Sequence, residues 1–241
     1  MQEIRFGEIA EKQAERGGHA LITYGKPLRR YVKPAGQAEK SVFPPESPAG
    51  SQPENPAAPR RGRKRRERTW RAMPVLNLKA LGEAYADARL FDMPLLDENA
   101  PQDGFTREGD VILALAPPFS CACIGPDETG AFIPNSCAVI RMDENTRSML
   151  DPWYLAGFLA LPSTLKALQS KRAGGSSALL TLDQIRDLPL IVPDIAHQKA
   201  LGEAVRRHAQ VKIALRRFEE SEMQALASAY AHTIQKDGVH E

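Results

Sequence analysis

Leu188-Pro189-Leu190-Ile191-Val192-Pro193-Asp194-Ile195-Ala196-His197-Gln198 is where the chain changes character. An apolar run of strand length stops at a proline, and a helical pattern begins within two residues and continues to Gln235. That pattern holds no proline, and its one interior glycine is Gly202. Leu201, Ala204, Val205, His208, Val211, Leu215, Phe218, Met223, Leu226 and Tyr230 recur close to i, i+3, i+4 and i+7 spacing. The reading is one helix of about forty residues, roughly 60 Å long at ~1.5 Å per residue. A compact domain of this size is narrower than that, so the apolar stripe calls for a partner in this chain or another.

Working back from that junction, Thr181 to Arg186 reads as a short helical turn, Gly174-Gly175-Ser176-Ser177 as a loop, and Ser163 to Lys171 as a helix. Before them, Asp151 suits a helix N-cap and Pro152 the first helical position, with Trp153, Leu155, Ala156, Leu159 and Ala160 at helical spacing. Upstream the period becomes that of strands. Gly109-Asp110 makes a tight turn before the apolar run Val111 to Leu115. Cys121–Ile124, Ala131–Pro134 and Cys137–Arg141 are further strand candidates. Pro74 to Leu78 reads as a strand and Leu81 to Leu90 as a short helix. At the N-terminus, Ile4 to Ile9 alternates as a strand does, Glu11 to Arg16 suits a helix closed by Gly17-Gly18, and Leu21 to Tyr24 suits a second strand.

Between these blocks the composition shifts. Pro34 to Arg71 is rich in proline and poor in apolar residues, too few to offset the entropy of ordering, and reads as a disordered insertion. It closes on a basic block of Arg60, Arg61, Arg63, Lys64, Arg65, Arg66, Arg68 and Arg71. A solvated tail, a phosphate-contacting arm and a nuclear-import signal share this composition. The phosphate reading predicts that deleting Gln37 to Arg68 lowers non-specific DNA affinity and leaves the fold intact.

The 241 residues carry 32 Lys plus Arg against 30 Asp plus Glu, a formal charge of +2, which excludes a wholly basic protein but not a locally basic DNA binder. No apolar run reaches transmembrane length, and the first ten residues are too charged for a signal peptide. With three cysteines, the expectation is a reducing cytoplasm with free thiols.

The candidate chemistries are few. Asp151-Pro152-Trp153-Tyr154 resembles the Asp-Pro-Pro-Tyr box of amino-group methyltransferases, but no glycine-rich turn for a methyl donor accompanies it, and an N-cap with core aromatics explains the same residues. Cys121, Cys123 and Cys137 lack the paired C-x2-C spacing of a structural zinc site and suit buried strands. Asp194, Gln210 and Lys212 do not converge as nuclease ligands, because ~1.5 Å per residue separates them by roughly 24 Å. Neither a P-loop nor a His-Glu-x-x-His helix is present. No catalysis, metal or cofactor is expected. For DNA contact the candidates are Lys171, Arg172, Gly174, Gly175, Ser176 and Ser177, a basic pair beside a loop whose amides and hydroxyls can approach phosphates. The same residues suit an ordinary helix C-terminus, and the sequence leaves both readings open. Arg63, Lys64, Arg65 and Arg66 are the candidates in the basic block, and Arg141 and Arg147 are weaker ones.

Taken in order, Arg107 to Leu113, Asp151 to Leu155, Gly175-Ser176, Leu188 to Pro193 and Gln198 at the head of a long helix form a pattern. It resembles the target-recognition domain of type I restriction-modification specificity subunits, which runs from a Gly-Asp turn and core strand through an acidic-x-Tyr-Leu helix and a Gly-Ser loop. A strand ending in Pro-Pro-Leu-x-Glu-Gln then leads into a coiled-coil helix. Pro193, Ile195 and Gln198 keep part of that last signature, and Ile4 to Ile9 is similar to the family's opening strand. The resemblance covers about 170 residues. It implies a mixed α/β domain with a curved sheet and flanking helices, then a long coiled-coil helix. Residues 1–33 and 72–193 would form the recognition domain, 34–71 the insertion, 194–236 the helix and 237–241 a tail. It also implies a non-catalytic half-subunit in phage defence, binding double-stranded DNA and positioning a methyltransferase subunit, with a restriction nuclease as a further partner. Leu201, Val211, Leu215, Phe218 and Leu226 would pair two copies, or this chain with another half-subunit. The alternative is a helix-mediated protein adaptor that reuses the same fold.

Overall fold

The computed structural model describes residues 2–34, 68–173 and 179–237. Its elements are β1 (Gln2–Arg5), α1 (Phe6–Glu15), β2 (Ile22–Tyr24), β3 (Trp70–Ala72), β4 (Glu83–Ala84), β5 (Leu95–Asp97), β6 (Val111–Ala114), β7 (Cys121–Cys123) and β8 (Cys137–Ile140). They continue with α2 (Glu144–Arg147), α3 (Pro152–Ala160), α4 (Pro162–Ala173), α5 (Leu182–Arg186), β9 (Pro189–Val192) and α6 (Ile195–Asp237). The architecture is mixed α/β, with a five-stranded sheet in the order β2-β8-β6-β7-β4 at its centre. All its pairings are antiparallel except β4 with β7.

Strands β6, β7 and β8 are buried along their whole length. Their continuous apolar runs have a simple cause: both faces of the sheet are covered, so the strand period of two serves two cores rather than a core and solvent. Val111, Leu113, Cys121, Cys123, Ala138 and Ile140 pack under the helices with Leu155, Leu159 and Leu168. Ile112, Ala114, Ala122, Cys137 and Val139 face the opposite layer with Leu76, Leu81 and Ile133. A third cluster of Val75, Leu96, Ala100, Phe105 and Phe132 supports β5.

The Gly109-Asp110 turn is the hinge into β6. Gly109 adopts φ +79°, and a Cβ there would come within 2.9 Å of the Arg147 guanidinium. Asp110 is fully buried and accepts from Arg141 Nε at 2.8 Å and Nη2 at 2.5 Å. The same guanidinium donates to the carbonyls of Asp103 and Phe105, so its charge is matched and four of its five N–H donors are used.

Several local expectations change. The opening strand ends at Arg5, and Phe6 starts α1, because the Phe6 amide donates to Leu188 O and anchors the chain's turn into the helix. β1 pairs with β9, Ile4 opposite Leu190, so the first strand braces the last one before α6. Pro74 to Leu78 forms bridges at Val75 and then a 3-10 turn, Leu78–Ala80, rather than a strand. Leu81 to Leu90 is not a helix: β4 and a 3-10 turn at Ala88–Leu90 occupy it, capped by Asp87. Ala131 to Pro134 is extended and bridged at Phe132 and Pro134 without becoming a strand. Folded structure also resumes before Met73. β3 includes Arg71, and Arg68 lies 3.3 Å from Asp97, so a deletion running through Arg68 would cut into the folded part.

Arg141 therefore holds the fold and is not an exposed DNA contact, and Arg147 is committed to the carbonyls of Met142 and Glu108. Arg141→Ala leaves a buried carboxylate without its partner and should destabilise the domain by about 3–5 kcal/mol. Urea unfolding followed by tryptophan fluorescence measures that loss.

Candidate nucleic-acid interface

The basic pair predicted to contact DNA lies in the last turn of α4. Lys171 offers its carbonyl to Gln184 Nε2 at 2.9 Å, and Gln184 also closes a reciprocal cap with Thr181 at the start of α5. On the far side of the loop, Leu180 N donates to Leu115 O and Leu182 N to the Tyr24 hydroxyl. The described residues on either side are thus held, Lys171 to α5, and Leu180 and Leu182 to the ends of β6 and β2. Gly174, Gly175, Ser176 and Ser177 lie outside the described residues, as do Arg63, Lys64, Arg65 and Arg66. Lys171 and Arg172 are half-buried, and Arg172 Nε is enclosed with no hydrogen-bond partner among the described residues.

The motifs read in sequence order meet at one junction. Asp151 caps α3, accepting from Tyr154 N at 2.9 Å. The Tyr154 hydroxyl donates to Ile191 O at 2.6 Å, tying α3 to β9, and burial pushes that phenol up from its ordinary range. Gln198 is buried in the first turn of α6. Its amide nitrogen donates to Met149 O at 2.9 Å and Pro193 O at 2.8 Å, and its oxygen accepts from Asp151 N at 3.0 Å. The sequence pattern marks Gln198 as a signature residue, and its three-way bonding is set by the tertiary structure.

Farther along, α6 crosses α3 at close range. A Cβ on Gly202 would come within 2.3 Å of Asp151 Oδ1, and one on Gly157 within 2.5 Å of Val205 Cγ2. Gln198, Gly202, Val205 and Ala209 form the docked face. Val205 therefore belongs to this face and not to the open stripe in which the spacing placed it. Arg89 reaches from the domain to Glu220 at 3.3 Å, while its other nitrogens hold buried Asp87 at 2.7 and 3.1 Å. Burial would raise the Asp87 carboxyl, but the hydrogen bonds and charge of Arg89 outweigh it and hold it below the usual range. The remaining stripe is open: Leu201 is 51% exposed, Val211 56%, Leu215 53%, Phe218 64% and Leu226 53%. From Ser221 to Thr233 every residue is exposed.

The alternative chemistries find no support among the described residues. Asp151 and Tyr154 spend their polar atoms on the fold. Cys121 and Cys123 face one core and Cys137 the other, and burial pushes the thiols of Cys121 and Cys137 up to about 12. No group of His, Cys, Asp or Glu is placed to hold a metal ion. Asp194 pairs with His197 at the surface. No described helix is long and apolar enough to cross a membrane.

The chain is similar in structure to components of type I restriction-modification systems. One solved structure, of the complex assembly and conformational transition of a type I R-M system, aligns over 97% of this chain and 44% of its own, with 14% identity and a TM-score of 0.48. The HsdS subunit from Thermoanaerobacter tengcongensis aligns over 66% of this chain and 41% of its own, with 22% identity and a TM-score of 0.43. This chain thus spans less than half the length of either. No protein-family model and no curated protein sequence matches it.

Replacing Gln198 with Leu keeps the volume but leaves one amide and two carbonyls without partners. Each buried polar group so orphaned costs about 1–3 kcal/mol. The expected outcome is a melting point lowered by several degrees and early protease cleavage near Pro193, read by limited proteolysis; an unchanged digestion pattern would show that α6 is held by other contacts.

Proposed function

We propose that this chain recognises a specific double-stranded DNA sequence as a single-domain, non-catalytic specificity subunit of a type I-like restriction-modification system. It places a methyltransferase subunit on that sequence, with a restriction nuclease joining in systems that cleave. The observation that carries the reading is the junction of Asp151, Tyr154, Pro193 and Gln198. Residues drawn from three separate motifs of the resemblance are bonded to one another, and together they fix a long helix to a domain whose sequence carries a basic pair before a glycine-rich stretch. A domain that reads DNA needs a rigid mount to position an enzyme, and this junction supplies one.

Lys171, Arg172 and the stretch from Gly174 to Ser177 contact DNA phosphates and supply salt-dependent affinity, while side chains reaching base edges in the major groove read the sequence. Arg63 to Arg66 add affinity that is blind to sequence. Selection from a random duplex library should return a defined site, and affinity should fall steeply as salt rises. Little binding at any salt would return the chain to the adaptor reading.

The open stripe on α6 pairs two copies of the chain, or this chain with a second half-subunit. In a two-fold homodimer the paired readers demand an inverted repeat with an unread spacer. Leu215→Glu with Phe218→Glu puts charge in that seam at a cost of several kcal/mol, while both positions are exposed in the single chain. Light scattering should then report the monomer mass with an unchanged circular dichroism spectrum. A variant that still dimerises would overturn the pairing.

A further inference from the structure

Strand β5 is the middle of a small ladder built from two distant parts of the chain. β3 runs along one side, Arg71 opposite Leu96. Residues 31–33 run along the other, with Val32 bridged to Leu96, Lys33 N donating to Leu95 O at 2.9 Å and Asp97 N to Tyr31 O at 2.8 Å. With neighbouring strands ~4.8 Å apart, the two outer segments stand about 10 Å from each other. The ladder rests on a firm base, since Tyr31 and Phe105 each pack against Phe132 with ring centroids 5.5 Å apart.

This ladder is cationic. Lys33, Arg68 and Arg71 are exposed on or beside it, and Arg29 and Arg30 are exposed on the 3-10 turn, Leu28–Arg30, that leads into it. Arg68 is held in place: it sits 3.3 Å from Asp97, donates to Arg30 O at 3.3 Å and lies 5.8 Å from the centre of the Trp70 ring. Among the described residues no carboxylate forms an ion pair with Arg29, Arg30, Lys33 or Arg71. Of the nearby acids, Asp97 is buried and already engaged by Arg68 and Asn99, while Glu98 stands exposed at the rim. Four cations without an ion pair among the described residues, Lys33 and Arg71 on the outer strands and Arg29 and Arg30 on the adjoining turn, suit a polyanion better than a single small anion. Duplex DNA, with one charge per ~1.7 Å of its axis, presents several phosphates over such a width.

We infer that this ladder is a second DNA-contacting surface, sequence-blind and distinct from the loop after Lys171, in which Arg29, Arg30, Lys33 and Arg71 bind backbone phosphates and Arg68 is the positioning residue. The inference rests on the DNA-binding reading above and adds to it a surface that orients the duplex rather than reading it.

The test uses the full-length chain and the variant Arg29→Gln, Arg30→Gln, Lys33→Gln, Arg71→Gln, with Arg68 kept. Affinity for a random-sequence duplex is measured over a salt series. The slope of log affinity against log salt should become shallower by about 0.9 for each lost contact, about 3–4 in all. The ratio of affinities for a selected site and a random duplex should stay the same. An unchanged slope, with the wild type binding normally, overturns the inference and leaves the proposed function standing. A wild type that binds no duplex at any salt overturns both. A changed site preference overturns the sequence-blind role, and a loss confined to single-stranded RNA overturns DNA as the partner. If the fourfold variant melts early, Arg29→Gln with Arg30→Gln, which leaves β3 and β5 untouched, should still flatten the slope by about 2.

Discussion

The Gln198 amide joins two stretches of backbone that are far apart in sequence: Met149 to Asp151, which leads into α3, and Pro193 at the end of β9. One side chain with two donors and an acceptor satisfies groups that the starts of two helices and the end of a strand would otherwise leave buried and unpaired. The direction of α6 follows from it, because the first turn of the helix is bonded both to the end of β9 and to the start of α3. Gly202 and Gly157 then let the helix approach α3 closely, and the Arg89–Glu220 pair tethers it once more near its middle. A surface ion pair of that kind contributes little by itself, so the buried amide and the glycine contact dominate.

The domain beneath the helix is organised by a sheet with two covered faces. That arrangement explains why Val111–Ala114 and Cys137–Ile140 are apolar throughout, and why the three cysteines divide between two cores instead of meeting. It also explains the Asp110–Arg141 pair. A loop passing over a buried sheet leaves carbonyls without solvent, and a guanidinium anchored by a carboxylate supplies the donors that the Asp103 and Phe105 carbonyls need.

Two surfaces remain for other molecules. One is polar, the cationic ladder around β5 with its adjoining turn. The other is apolar, the α6 stripe that the domain leaves open because it docks through a different and less apolar side of the helix. On the proposed function, keeping them on separate elements would let the chain pair through one while holding DNA with the other. An exposed row of Leu215, Phe218 and Leu226 is costly to leave in water, a cost that the proposed pairing would relieve.

Much of this was legible from residue order. The long helix, the Asp151-Pro152 helix start, the Gly109-Asp110 turn, the buried run at β6 and the proline-terminated β9 are local patterns, set by backbone geometry and hydrophobic period within a few residues. What failed was local too, but weakly patterned: Leu81 to Leu90 has helix-forming residues, yet β7 and the 3-10 turns around it supply better partners for its backbone than a helix of one or two turns could. Tertiary structure alone decided which side of α6 faces the domain. A periodic stripe marks an apolar face but not its partner, and only the crossing with α3 turned Val205 inward and left Leu215 out. It alone decided that Arg141 is structural, since a cation's role depends on whether a carboxylate such as Asp110 meets it from elsewhere in the chain. And it alone brought Arg29, Arg30 and Lys33 beside Arg68 and Arg71, because the pairing of distant segments across β5 is a non-local choice that no stretch of sequence contains.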